Sequence, residues 1–142
     1  SSPKVKVLQV KDMTPATAMI LSERIDAGEY IVIAGDRTPA SIDGRVSNIN
    51  FLGKKAAMPQ GAFILASLLK CPTYLMFCLK QQSQYHIYIE LFAEQLKLPR
   101  KNRDNAVTEV VQSYADRLAF YCIKTPLQWF NFYPFWANND EH

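Results

Sequence analysis

Histidine is almost missing from this sequence: the 142 residues hold two, His86 and His142. An acid-base pair of the HxxxxD or HxxxxE type is therefore excluded, because Glu90 follows His86 one position too early and His142 is the last residue. Cysteine is as sparse. Cys71, Cys78 and Cys122 are odd in number and lack CxxC spacing, which excludes a thiolate metal site and a disulfide framework and suits buried free thiols in a reducing cytosol. No stretch reaches the 18 or so apolar residues of a membrane span, and the amino-terminal SSPKVKV has no apolar signal core. The chain is expected to be soluble or to rest on a membrane without crossing it. Charge of one sign is also weak. A net charge of +3 implies no nucleic-acid partner, although it permits contact with acidic proteins or anionic lipid.

What remains is a folding composition. With 49% hydrophobic and 20% charged residues, the chain fits one domain, residues 1–142, that buries roughly 70% of its unfolded surface. No methionine precedes the first apolar run at Lys4, so a larger protein cut at this point is expected.

Lys4 to Val10 reads as a short strand, and Thr14-Pro15 as a helix start with Thr14 as N-cap. Ala18, Leu21 and Ile25 recur at helical spacing, and Gly28 closes that helix. Tyr30 to Ala34 is a continuous apolar run suited to a strand covered on both faces. Strand, helix and strand then predict a right-handed crossover between parallel strands. Val46 to Leu52 is a further strand ended by Gly53, and Pro59 opens a buried helix through Leu69. Thr73 to Leu79 and the strand after Gln81-Gln82-Ser83 are expected to pair antiparallel. In the second of these, Tyr85, Ile87, Ile89 and Leu91 share one face and His86, Tyr88 and Glu90 the other. Asp104 to Ile123 carries the clearest amphipathic helix, and six aromatics crowd Leu127 to Trp136. The fold class expected is α/β, with a mixed, largely parallel sheet flanked by helices.

Three blocks, IAGDRTP, FLGKKAAMPQGAFILA and PLQWFNFYPFW, resemble the carboxyl-terminal portion of the bacterial lysophospholipid and lipid A biosynthesis type acyltransferase superfamily, especially its predicted glycolipid acyltransferases. The resemblance runs from Lys4 onward. It implies a fragment of a glycerolipid acyltransferase-like domain on the cytoplasmic face of the bacterial inner membrane. Such an enzyme moves a fatty acyl group from an acyl carrier protein or coenzyme A thioester to a hydroxyl of a lysophospholipid or glycolipid. The family's HxxxxD or HxxxxE signature is absent here, and a hydroxyl does not attack a thioester without a base to take its proton. The fragment is expected to be inactive alone, with no cofactor or metal beyond the thioester donor. A non-catalytic lipid- or protein-binding α/β module is the rival reading.

Candidate substrate-binding residues are Asp36, Arg37 and Thr38, at the carboxyl end of the expected Tyr30–Ala34 strand, where ligands collect in open α/β sheets. Arg37 would clamp an anion on the acceptor and Asp36 would orient it, or the two would organise a loop by local salt bridges. Lys54 and Lys55 read as solvated turn residues, and His86 as a surface histidine about 13 Å from Glu90 along the backbone. The basic residues from Lys97 to Arg103 form either a solvated loop or a contact for anionic lipid or a carrier protein. Of the closing aromatics, some are expected to pack in the core and one or two to meet a membrane interface.

Overall fold

A computed structural model of the chain describes residues 5–8, 14–37, 45–130 and 135–136. Two compact units divide it, residues 1–33 and 34–142.

In the first unit, helix α1 spans Pro15–Asp26. Thr14 caps it: its hydroxyl accepts the Thr17 amide at 3.3 Å, and the Thr17 hydroxyl accepts the Thr14 amide at 3.2 Å. Each side chain thus satisfies an amide that the first helical turn leaves without a partner. Leu21 is buried and Gly28, at φ 85°, follows the helix, as the spacing predicts. The two flanking strands do not form. Val5–Leu8 has no strand structure, and the rest of the Lys4–Val10 run lies outside the described residues. Tyr30–Ala34 is likewise irregular, with Tyr30 95% exposed where a doubly covered strand was expected. High β-propensity measures fit to a pleated, half-buried surface, and without a ladder partner it produces no strand.

Among the described residues, the second unit holds two hairpins and two helices. Strands β1 (Val46–Phe51) and β2 (Lys54–Pro59) pair antiparallel, from Val46 opposite Pro59 to Phe51 opposite Lys54. Helix α2 (Gly61–Leu69) follows. Strands β3 (Thr73–Gln81) and β4 (Gln84–Ala93) form the second antiparallel pair. Helix α3 (Arg103–Lys124) and a 3-10 turn at Pro126–Gln128 complete it. The largely parallel sheet is therefore wrong: among the described residues there are two separate two-stranded antiparallel sheets. Both hairpins close through two residues at positive φ, Leu52-Gly53 and Gln82-Ser83, and such tight turns leave no length for a crossover. Lys54 and Lys55, solvated turn residues by their polarity, instead open β2; both are exposed, while Ala56 and Met58 are fully buried. Pro59 ends β2 instead of opening α2.

Helix α3 carries the core. Val107, Val111, Ala115 and Leu118 pack with Ile49, Phe51 and Met58 of the first hairpin and Leu75 of the second, and Tyr114 meets Phe63 of α2 at 5.3 Å between ring centres. Two glutamines complete the free backbone groups of sheet edges. Gln112 accepts the Asn50 amide at 2.8 Å and donates to the Asn50 carbonyl at 2.9 Å, and Gln128 bonds the amide and carbonyl of Lys80 in the same way. A carboxamide has the donor and acceptor that a neighbouring strand would offer, so these side chains occupy edge positions open to stray pairing.

The second hairpin lies with its more polar face inward. Phe77 stacks on Tyr121 of α3 at 4.2 Å, and Glu90 bonds Arg117 and Tyr121. Its other face, with Tyr74, Met76, Cys78, Ile87, Ile89 and Leu91 in adjacent rows, is exposed.

Candidate functional site

Asp36 and Arg37 lie in an irregular segment, not at the end of a strand. Gly35 sits directly against Tyr114: a Cβ there would lie 3.0 Å from the ring. This close approach sets the Asp36 carboxylate beside α3, and its charge is felt by two buried groups. Burial, and then the Asp36 charge, raise the Tyr114 phenol well above its usual range and push the Cys122 thiol up to about 11.

The two candidate residues are tied to the closing aromatic stretch. The Trp129 indole N–H donates to Asp36 Oδ2 at 3.0 Å, and Arg37 Nη2 donates to the Phe130 carbonyl at 3.1 Å. Within the pair, Arg37 Nε stands 3.9 Å from Asp36 Oδ1, a loose ion pair. The Asp36 side chain is 19% exposed and that of Arg37 55%. The carboxylate is thus largely enclosed, whereas the Arg37 side chain, with its five donors, is more than half exposed. Thr38 lies outside the described residues.

The aromatic stretch joins the core through Phe51. Trp129, Phe135 and Trp136 lie 5.0, 5.5 and 6.1 Å from the Phe51 ring, and Phe130 is exposed. The GDR segment, the strand ending in FLG and the closing aromatics therefore converge, although 93 residues separate Asp36 from Trp129.

His86 and Glu90 do not form a pair. Arg117 grips Glu90 with two donors, Nε at 2.8 Å to Oε2 and Nη2 to Oε1, and the Tyr121 hydroxyl donates to Oε1 as well. The Arg117 bonds, then the Tyr121 bond, hold the Glu90 carboxyl below its usual value of 4.5. A depressed carboxylate pKa adds stability that is present above the unfolded value and lost as pH falls through the folded one. The melting temperature is therefore expected to hold from neutral pH down to about 5 and then fall, with a shallower acid fall in Glu90→Gln. A thermal melt series across that range checks this, and identical acid limbs would show that Glu90 is not responsible. Because the pair is half-exposed, the loss at pH 7 should stay within about 1 kcal/mol.

An open groove of about 580 Å³ lies elsewhere, walled by Arg45, Val46, Ser47, Asn48, Gln60, Asp104 and Thr108. Its base is a buried polar knot: Gln60 Nε2 donates to Ser47 Oγ at 2.9 Å and to the Val46 carbonyl at 3.2 Å, and the Ser47 and Thr108 hydroxyls are 3.0 Å apart. None of the residues singled out from the sequence lines it. Gln60 is legible in the sequence only as part of the FLGKKAAMPQGAFILA block, since its role depends on a serine and a threonine from two other elements. Lys97, Arg100 and Lys101 are exposed. Among the described residues no group of His, Cys, Asp and Glu could hold a metal ion, and no helix is long and apolar enough to cross a membrane.

Neither a scan against models of protein families nor a search of curated proteins gives a match to this chain.

Proposed function

We propose that this chain is the acceptor-side portion of an acyltransferase that moves a fatty acyl group from an acyl carrier protein or coenzyme A thioester to a hydroxyl of a lysophospholipid or glycolipid. The observation that carries the reading is the convergence of its three motif blocks, distant in sequence, on the Asp36–Trp129 and Phe51–Trp129 contacts. Asp36 anchors the closing stretch, and the half-exposed Arg37 presents its unused donors to an anionic group of the acceptor. The His and Asp or Glu that activate the hydroxyl come from polypeptide outside these 142 residues. The work takes place at the cytoplasmic face of the bacterial inner membrane.

Two measurements test this. The 142 residues alone should give no acyl transfer. In the intact enzyme, Arg37→Ala should raise the KM for the acceptor about tenfold, the loss of one charged hydrogen bond, with little change in kcat. Unchanged acceptor use by that variant, or transfer by the chain alone, would overturn the proposal.

A binding module without catalysis is the second reading, favoured by the engagement of Glu90 with Arg117 and Tyr121. A gene with no HxxxxD or HxxxxE block beside this sequence would decide for it.

A further inference from the structure

Nothing described in the second unit covers the outer face of the β3–β4 hairpin, which is apolar. Met76, Ile87 and Ile89, at its centre, are 59, 63 and 65% exposed. Tyr74, Tyr85 and Leu91 beside them are 58, 72 and 50% exposed, so the face is a contiguous apolar patch of the size class of the largest on ordinary monomers, about 300–600 Å². A stable protein interface takes roughly 800 Å² from each partner.

We propose that this face is the contact surface of a homodimer, in which the hairpin of one copy packs its outer side on the same side of a second copy. The argument for a second copy is self-complementarity. The rows run from Tyr74 opposite Leu91, through Met76–Ile89 and Cys78–Ile87, to Lys80 opposite Tyr85. Lys80 is the only charged side chain among them, and its ammonium already lies 5.9 Å from the centre of the Tyr85 ring. A two-fold axis across the strands would set Lys80 over the partner's Tyr74. An axis along the strands would set it over the partner's Tyr85. Either way the cation meets an aromatic ring and not its own mate, and no like charges are forced together. The central rows then bring Met and Ile side chains onto one another at the spacing of about 10 Å between packed sheets. A face with one lysine gives less to an anionic lipid surface, where affinity grows with each added cation.

Sedimentation equilibrium of the 142-residue chain is expected to give a dimer. Cys78 is exposed in the single chain and lies within the proposed contact, so its alkylation by iodoacetamide should slow as the chain is concentrated into the dimer, and unchanged alkylation would count against the contact. Ile89→Lys, at an exposed position, should keep the native circular dichroism and raise the dimer Kd at least tenfold. Ile87→Lys serves the same purpose if the first variant does not fold. A wild-type chain that stays monomeric at high micromolar concentration, or a dimer that survives both variants unchanged, would overturn the proposal. So would a monomer that sediments with phosphatidylglycerol vesicles in an Ile89-dependent way, which would assign the face to lipid.

Discussion

Phe51→Ala is expected to lower the unfolding free energy by about 3–5 kcal/mol, the usual cost of deleting a large buried aromatic side chain. The ring is 1% exposed and is the one that Trp129, Phe135 and Trp136 all touch. Its removal opens a cavity between the first hairpin and the closing stretch, and collapse is hindered because Ile49, Met58 and Val111 are themselves tightly buried. Urea unfolding with an unchanged m-value would measure it. A loss below about 1 kcal/mol would mean that the closing aromatics do not depend on this strand.

Trp129→Ala should cost about 2–4 kcal/mol, slightly less because the ring is only half-buried. Two effects combine: lost contact with Phe51 and Phe135, and loss of the indole donor to Asp36, whose largely enclosed carboxylate then lacks that bond. Trp129→Phe separates them, keeping most of the packing while removing the donor, and should recover more than half of the loss. Liposome association is expected to be the same for wild type and Trp129→Ala, because the indole is used within the fold. Weaker vesicle binding with unaltered stability would reverse the assignment. Among the described closing aromatics, Phe130 keeps an exposed ring and is the one available to an interface.

Much of the local structure was readable. Thr14, Pro15 and Gly28 gave the limits of α1 because caps and breakers act through nearest neighbours. The apolar spacing from Val107 to Tyr121 gave α3 within a residue or two, since one packed stripe repeats over about four turns. The β3–β4 pairing followed from a connection too short for anything else. The first hairpin was half seen: Lys54-Lys55 looks like a turn until Ala56 and Met58 are known to be buried.

The Asp36–Arg37 site was legible as residues but not as geometry. Charged residues after an apolar run suggest a sheet edge, yet what positions them is a tryptophan and a carbonyl 93 residues away. Spacing along the chain holds no record of such a contact. Gln60, Gln112 and Gln128 were missed for the same reason, because a glutamine shows its purpose only when its partners are in place.

Composition, caps and periodicity by themselves determined the two long helices, the antiparallel second hairpin, the absence of an HxxxxD or HxxxxE pattern and the lack of an apolar run long enough to span a bilayer. Those are properties of near neighbours and of counts. Only the tertiary structure decided that Tyr30–Ala34 is no strand, that the sheets are two separate hairpins, and that the apolar side of β4 faces outward while Glu90 turns in to Arg117. Alternation tells which residues share a face, but which face is covered depends on what the rest of the chain brings against it.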